Sequence, residues 1–344
     1  MRGRKYLLMA LGVALIIALI VWAGVEETLK IVMGASPRPL VLAILTQVLA
    51  TFAWALRWRV FLNKAGIRPG TKDLLMAVMI GVFVNNITPG ARAGGEPART
   101  YFIGKRTNSG YGAVFATVMA DRILDVIPVM AFTFIAFKYA LDGGNRLLLL
   151  VLGISTLALA VVLLLTILFS YNERLALGLV KRILGLIRRL FPGRFSRVEE
   201  DIEEKIRNTV MEFRETLVDL SKDPAVFFKT LFYSFALWGF MVLRTYFVFE
   251  SISHPLPLSS IVMVQMAGIA MGMISVIPGG LGITEGINSA LYLSLSIEKS
   301  IAVTATVVDR FISFWLPSIV GGGISLYLSA RDGSDEVRSD SEAR

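Results

Sequence analysis

Long apolar runs separated by short polar or basic stretches dominate the chain. A helix that crosses a bilayer needs about 20 largely apolar residues. Six runs meet that requirement, at 6–25, 39–62, 112–138, 147–170, 225–250 and 300–328. The first run lacks an evident small-residue cleavage site, so we interpret it as a retained helix rather than a signal peptide. The pattern predicts an all-α polytopic membrane protein with about six full transmembrane helices.

Two further apolar regions, 74–105 and 257–297, are interrupted by glycine and proline, which do not continue a helix. Irregular backbone at membrane depth is tolerated only where it is buried in protein or lines a wet cavity. We therefore predict two re-entrant helical hairpins. An ordinary surface loop and a fully spanning hairpin remain alternatives. The predicted break residues are Pro89, Gly90, Pro278, Gly279, Gly280 and Gly282.

The two interrupted regions repeat one spacing. Pro89 precedes Glu96 by seven residues, and Pro278 precedes Glu285 by seven residues. An Asp-Arg pair follows each glutamate inside a long apolar run, after 25 residues in the first case and 24 in the second. The register of this pattern indicates internal duplication.

Basic residues predict the orientation of the chain. Arg2, Arg4 and Lys5 precede the first run, and the stretch 171–224 contains eleven Lys and Arg. Because cytosolic loops are rich in Lys and Arg, we expect a multi-pass protein of the cell membrane with both termini in the cytosol. The chain then crosses an odd number of times between the two repeats, whether the first hairpin re-enters or spans. The repeats are therefore predicted to be inverted, as in many secondary transporters.

These interpretations divide the chain into six parts. They are an N-terminal helix and external loop (1–38), a first inverted repeat (39–140), a connecting transmembrane helix (141–170), a cytosolic amphipathic segment (171–224), a second inverted repeat (225–330) and a disordered cytosolic tail (331–344). Within the cytosolic segment, residues 172–191 have the spacing of a basic amphipathic helix on anionic lipid. Residues 197–221 predict a second helix, and Asp223-Pro224 predicts the start of the next one.

Composition excludes several functional classes. The chain is 55% hydrophobic with a mean hydropathy of +0.67, yet it carries a formal charge of +9. This apolar content exceeds the roughly 45–50% of soluble domains, so the basic balance indicates a membrane protein with a cytosolic bias rather than nucleic-acid binding. Cysteine is absent and His254 is the single histidine, which leaves no thiolate or His-cluster metal site. We predict no cofactor and no metal.

Charged residues inside the apolar runs form the candidate site. Each costs roughly 2.5–3.5 kcal/mol at a helix centre, so each requires a partner or water. One interpretation is a buried ion pair that clips each hairpin to a helix. The other is a binding site for a charged substrate. The two are compatible, since Glu96 would orient Arg122 and Glu285 would orient Arg310. A helix N-terminus beside an arginine suits a phosphate, while simple capping by the two glutamates is the competing explanation.

The predicted substrate-binding residues are Arg92, Glu96, Arg99, Asp121, Arg122, Asp125, Glu285, Asp309 and Arg310. The secondary candidates are Asn85, Asn86, Arg57, Arg244 and Thr284. The positions that match Arg92 and Arg99 in the second hairpin are Leu281 and Asn288. We therefore expect the first hairpin to hold an anionic group more firmly, unless Arg92 only follows the cytosolic bias.

At these residues the sequence resembles the lysylphosphatidylglycerol synthase transmembrane-region family, whose members carry a flippase-like domain. The resemblance covers about 5–330, and its most specific stretches are 86–99, 121–125, 278–285 and 309–317. It implies a polytopic domain that moves lipids between leaflets. Since nothing after residue 330 resembles the aminoacyl transferase of the two-part synthases, aminoacyl transfer is not expected.

The sequence therefore favours a flippase or transporter for an anionic or polyprenyl-phosphate-linked lipid, working by alternating access. The expected partners are anionic or phosphate-bearing membrane lipids, with no nucleic acid, and a homo-oligomer is allowed. The alternatives are an anion channel or exchanger, an intramembrane enzyme acting on a lipid phosphate, and a structural partner of lipid enzymes.

Overall fold

The computed structural model describes residues 2–88, 94–171, 178, 182, 200–274 and 277–342, and these are helical with short connections. The first part contains α1 (Arg2–Ala23), α2 (Val25–Met33), α3 (Pro37–Lys64), α4 (Thr71–Ile87), α5 (Gly95–Thr107), α6 (Tyr111–Asp142) and α7 (Arg146–Tyr171). The second part contains α8 (Glu200–Ser221), α9 (Pro224–Ser251), α10 (Leu258–Ile274), a 3₁₀ turn (Pro278–Gly280), α11 (Ile283–Ser294), α12 (Lys299–Arg310), a π-helical turn (Phe311–Trp315) and α13 (Leu316–Glu342). The prediction of an all-α membrane protein is confirmed.

Four of the described helices are long and apolar enough to cross a membrane: α3, α6, α9 and the continuous helix Lys299–Arg331. A fifth span is reached if Met9–Ala23 and Val25–Met33 are counted together, although they are bent by 91°. The described apolar part of α7 is shorter, at Arg146–Ala158. The count of six therefore stays a prediction.

Helices α3 and α9 pack side by side. Small residues on α3, Ala50 and Ala53, meet Leu237 of α9 in a buried cluster. The N-terminal part of α3 contacts the C-terminal part of α9, because Arg244 reaches Gln47, while Arg57 reaches Ser234. The two helices are therefore antiparallel.

Each interrupted region contains two helices separated by a break. In the first, Gly95 N–H donates to Asn85 Oδ1 over 2.6 Å, and Arg99 lies against Gly81 one turn away on each helix. These contacts make α4 and α5 antiparallel. In the second region, Asn288 of α11 lies against Gly268 of α10. The re-entrant arrangement of these hairpins stays a prediction.

Helix α9 begins where the sequence predicts. The Asp223 carboxylate accepts hydrogen bonds from Ala225 N–H and Val226 N–H, over 3.0 and 3.3 Å, and Pro224 occupies the first turn. A hydrogen bond from Lys64 at the end of α3, whose Nζ lies 2.7 Å from Asp223 Oδ2, lowers the pKa of this carboxyl. The cap thus also ties the ends of α3 and α9 together.

The connections contain more helix than the sequence indicated. The segment between the first span and α3 contains the nine-residue helix α2. The tail 331–344, which the sequence predicted to be disordered, is helical as far as Glu342. The predicted amphipathic helix 172–191 lies outside the described residues, apart from 178 and 182.

Candidate functional site

The first charge cluster joins α3 to α6. Arg57 has no exposed side-chain surface, and its Nε lies 2.7 Å from Asp121 Oδ1. The same guanidinium donates to Asp125, one turn further along α6. Two indole N–H groups add hydrogen bonds to these carboxylates. Trp54 Nε1 donates to Asp121 over 2.8 Å, and Trp238 Nε1 donates to Asp125 over 3.2 Å. A buried charge needs this degree of pairing to be stable.

A second ion pair joins the α5 hairpin helix to α6. Arg122 Nε donates to Glu96 Oε1 over 2.8 Å. The Arg122 side chain is 37% exposed, whereas the Glu96 side chain is only 12% exposed. Glu96 lies in the first turn of α5, where its negative charge also suits the positive end of the helix dipole. The expected contact of Glu96 with Arg122 is thus present.

Arg99 lies between these two pairs and is nearly completely buried. Its guanidinium carbon is 4.9 Å from the ring centroid of Trp54 and 4.8 Å from that of Trp58. Its Nη1 is 3.3 Å from Asp121 Oδ2, but its Nη2 has no hydrogen-bond partner. The absence of a side chain at Gly81 leaves room for Arg99, since a Cβ there would lie 2.6 Å from Arg99 Cγ. Arg99 therefore brings an unused donor into the protein interior.

The second half contains the same two pairings. Arg244 of α9 donates to both oxygens of Asp309, over 2.9 and 3.1 Å. Arg310 Nε donates to Glu285 Oε1 over 2.8 Å, with Glu285 1% exposed. Each hairpin glutamate is therefore bound to the arginine of the following Asp-Arg pair, and each aspartate to an arginine of the preceding long helix.

The two central arginines also contact each other's helix in a reciprocal way. Arg57 Nη1 donates to Ser234 Oγ over 2.9 Å, and Arg244 Nη1 donates to Gln47 Oε1 over 2.8 Å. Gln47 precedes Arg57 by ten residues, and Ser234 precedes Arg244 by ten residues. Equivalent positions therefore exchange contacts across the α3–α9 interface.

The described break of the second hairpin is itself part of this network. Arg310 Nη2 donates to the carbonyl of Gly279 over 2.9 Å. Gly279 has a φ of +60°, and a side chain there would also collide with the ring of Phe314. Phe314 lies in the π-helical turn after Arg310 and stacks on its guanidinium at 4.6 Å. The Arg310 guanidinium therefore holds the backbone of the break in place.

Each aspartate pairs with an arginine of a long helix. Asp309 pairs with Arg244 and Asp121 chiefly with Arg57, because α9 and α3 place those guanidinium groups closest. Asn86 Nδ2 donates to Ser318 Oγ over 2.8 Å and so ties α4 to α13. Arg92, Pro89 and Gly90 lie outside the described residues.

Sequence reasoning missed the neutral partners of these charges. They are Gln47, Ser234, Thr245 and Gln265, of which Thr245 donates to Asp309 over 2.7 Å and itself accepts from Gln265. Single polar residues in long apolar helices were the signal that could have identified them, since such residues need partners in the membrane.

Buried polar atoms without partners are concentrated on the two hairpins. In the first they are Glu96 Oε2 and Arg99 Nη2, and in the second Thr284 Oγ1, Glu285 Oε2, Asn288 Oδ1 and Ser289 Oγ. Across the part of the chain with described side chains, no group of three His, Asp or Glu is arranged to hold a metal ion. Unsatisfied buried atoms of this kind require an explanation.

Residues 9–321 match the family described as the lysylphosphatidylglycerol synthase TM region. A UPF0104 membrane protein of Pyrococcus horikoshii is 46% identical over 93% of this chain and 96% of its own. A UPF0104 membrane protein of Methanothermobacter thermautotrophicus is 30% identical over 93% of this chain and 94% of its own. A more distant relative, the glycosyltransferase AglD of Haloferax volcanii, is 23% identical over 91% of this chain but only 53% of its own.

Proposed function

Because the chain belongs to the lysylphosphatidylglycerol synthase TM region family, we propose that this multi-pass membrane protein moves an anionic or polyprenyl-phosphate-linked lipid between leaflets. The phosphate or other anionic head group would meet Arg122 and Arg99 in the first half. Glu96, Asp121 and Asp125 would hold the arginines in place when no substrate is bound.

The observation that carries this proposal is the incomplete pairing of these two arginines. Arg122 shares one carboxylate oxygen of Glu96 and keeps 37% of its side chain exposed, while Arg99 Nη2 is buried without an acceptor. An anion with several oxygens would accept from both, and arginine is well suited to phosphate oxygens. The ring centroid of Trp54 lies 4.9 Å from the guanidinium carbon of Arg99 and 5.4 Å from that of Arg122, so one indole contacts both groups.

A surface groove near the first hairpin supports a lipid over a free anion. The groove has a volume of about 400 Å³ and lies between α4 and α13, where Phe83, Ile319 and Leu326 form its apolar lining. Ser318 of this groove accepts a hydrogen bond from Asn86, and the neighbouring Asn85 holds the start of α5. An acyl or prenyl chain in the groove would therefore begin close to Glu96 and Arg122.

The predicted inverted repeat supplies a mechanism for such a transporter. In inverted-repeat transporters, one half rocks against the other around a site near the membrane midplane. The recurring ion pairs and the reciprocal contacts of Arg57 and Arg244 agree with that arrangement. Rocking would exchange the contacts of the two hairpins while the α3–α9 interface keeps them in register.

Reconstitution into liposomes tests the proposal. We expect the protein to accelerate protection of fluorescent head-group lipids from an external quencher, with anionic lipids preferred over a zwitterionic one. Arg122→Gln should abolish this acceleration. Arg59→Gln is the matched control, because Arg59 lies on α3 and bonds only to Thr71 at the surface among the contacts seen here. Rates equal to those of empty vesicles for every anionic lipid would refute the proposal.

The same vesicles separate the competing functions. Voltage-dependent anion flux without lipid movement would indicate a channel or exchanger. Chemical change of the lipid would indicate an enzyme. The activity in the name of the Haloferax volcanii relative is not carried over, because the match leaves nearly half of that protein uncovered.

A further inference from the structure

The four partnerless oxygens of α11 occupy one face of that helix. They belong to Thr284, Glu285, Asn288 and Ser289. Residues three and four apart on a helix are neighbours, with Cβ atoms about 5–6 Å apart. Residues 284 and 288 form one such pair, 285 and 289 form another, and 285 with 288 links the two. The four oxygens therefore belong to one polar patch.

This patch is inside the protein. Glu285 and Ser289 are each 1% exposed, and Thr284 is 8% exposed. Asn288 lies against Gly268 of α10, and Glu285 reaches Arg310 of α12. The patch thus faces two neighbouring helices, and leaving all four oxygens empty there would cost roughly 1–3 kcal/mol each.

We propose that this patch binds a small monovalent cation of the sodium class. Carboxylate, hydroxyl and amide oxygens are the ligands that hard cations prefer. A proton on Glu285 Oε2 would satisfy one of the four oxygens, whereas a coordinated cation satisfies several together. The patch has a single carboxylate, already shared with Arg310, which suits one positive charge better than two. Its close burial favours sodium over the larger potassium ion.

Among the described residues, the two hairpins differ at the position that decides whether such a site can form. The residue three positions after each hairpin glutamate packs on a glycine of the partner helix. It is Arg99 on Gly81 in the first hairpin and Asn288 on Gly268 in the second. Each hairpin glutamate already binds one arginine; at this position a guanidinium adds a second positive charge, whereas an amide oxygen adds a ligand for a cation. The same place in the fold is therefore cationic in one half and a set of acceptors in the other.

A role in coupling follows, and it rests on the transport function proposed above. Around the second hairpin, Arg244 and Arg310 already balance Asp309 and Glu285. A bound sodium ion would add one positive charge, which an anionic lipid held by the first half would offset. Inverted-repeat transporters commonly place a coupling ion and a substrate near one another at the midplane. We infer that sodium and the anionic lipid stabilise each other's binding.

Binding is tested on the purified full-length protein in detergent, independently of any transport. At constant ionic strength, NaCl should raise the midpoint of thermal unfolding by several degrees over choline chloride and KCl. Radioactive ²²Na⁺ should bind saturably in a scintillation proximity assay. Ser289→Ala should weaken ²²Na⁺ binding at least tenfold, and Asn288→Arg should abolish it.

Thr100→Ala is the matched control, because Thr100 follows Glu96 by four residues as Ser289 follows Glu285. Its hydroxyl donates to the Glu96 carbonyl over 2.9 Å. This variant should keep the wild-type affinity for ²²Na⁺. Equal unfolding midpoints in all salts, stabilisation that follows pH and not sodium, or sodium binding retained in both Ser289→Ala and Asn288→Arg would overturn the cation site.

Coupling is tested separately in liposomes with a sodium gradient. Lipid movement should increase severalfold with the gradient, and Ser289→Ala should remove that increase. Sodium binding without any lipid movement would leave the cation site standing and refute the lipid function. Lipid movement that ignores the gradient, in a protein that binds sodium, would refute the coupling alone.

Discussion

The two hairpins share the same ion pairs, but their buried polar atoms lack different hydrogen-bond partners: an acceptor for Arg99 in the first hairpin and chiefly donors in the second. In the first, Arg99 is buried on two tryptophans with a donor unused. In the second, the residue at that place is Asn288, and four oxygens lack donors. The ion pairs Glu96–Arg122 and Glu285–Arg310 match in one distance, with 2.8 Å between the arginine Nε and the glutamate Oε1 in each. Both hairpins therefore keep the ion pair to the following Asp-Arg arginine, while the neighbouring positions carry an unused donor in one and unused acceptors in the other.

The long helices show the same division. Arg57 is followed by Trp58 and preceded by Trp54 one turn earlier, whereas Arg244 is followed by Thr245 and preceded by Met241. The first aspartate accordingly accepts from an indole N–H and the second from a hydroxyl. Aromatic surface beside arginine strengthens a site for anions, because the ring positions the guanidinium without neutralising it.

Removing the central arginine should give the largest difference between the halves. Arg57→Ala leaves two acids without their main cation, the fully buried Asp121 and the 17%-exposed Asp125, and should lower the free energy of unfolding by about 5 kcal/mol. Arg244→Ala should cost less, because it strands a single acid, Asp309, which keeps the Thr245 hydroxyl and is not fully buried. Reversible unfolding in mixed micelles measures both. Equal losses for the two variants would contradict the proposed difference between the clusters.

The hairpin arginines should separate stability from function. Arg310→Gln strands the buried Glu285 and should lower the free energy of unfolding by about 3 kcal/mol. Arg122→Gln should cost less, because the Arg122 and Glu96 side chains are 37% and 12% exposed, against 10% and 1% for Arg310 and Glu285. Lipid movement in liposomes should nevertheless be lost in Arg122→Gln. The comparison fails if Arg122→Gln destabilises the protein as strongly as Arg310→Gln.

Much of this arrangement could be predicted from the sequence, for identifiable reasons. Apolar length predicted the long helices, and the repeated spacing predicted that Glu96 and Glu285 would meet the arginines 26 and 25 residues later. Arg57 and Arg244 could be recognised only as secondary candidates, since nothing in the local sequence says which helix lies opposite. Gln47 and Ser234 were missed for the same reason. Their role depends on the packing of α3 against α9. The two contacts join residues that are far apart along the chain, by 177 positions for Arg57–Ser234 and 197 for Gln47–Arg244.

The reciprocal contacts should make equal and smaller contributions. Ser234→Ala removes an acceptor of Arg57, and Gln47→Ala removes an acceptor of Arg244, so each should cost about 1 kcal/mol. Double-mutant cycles of each pair, read from unfolding in mixed micelles, should return similar coupling energies. A coupling in one pair and none in the other would show that the symmetry of these contacts has no energetic counterpart.

The smallest effect is expected at the cap of α9, outside the membrane-spanning part. Lys64 and two backbone N–H groups hold the pKa of Asp223 below its ordinary value, so its stabilising contribution is present above the unfolded-state pKa, near 3.9. This contribution should be lost as pH falls through the lower, folded-state pKa. Asp223→Asn, which keeps a capping oxygen, should remove that acid dependence with little change in the unfolding midpoint at pH 7. Lys229→Gln on the same helix serves as the control.

The order in which the ion pairs become available follows from their separation along the chain. Arg57 is synthesised 64 residues before Asp121, and Arg244 is synthesised 65 residues before Asp309. Each long helix therefore enters the bilayer with an arginine whose acid has not yet left the ribosome, at a cost of roughly 2.5–3.5 kcal/mol. Gln47, the neutral partner of Arg244, is synthesised before Arg244, whereas Ser234, the neutral partner of Arg57, is synthesised after Arg57. Biogenesis of the first half thus carries an unpaired charge, and the second half assembles on a partner that is ready for it.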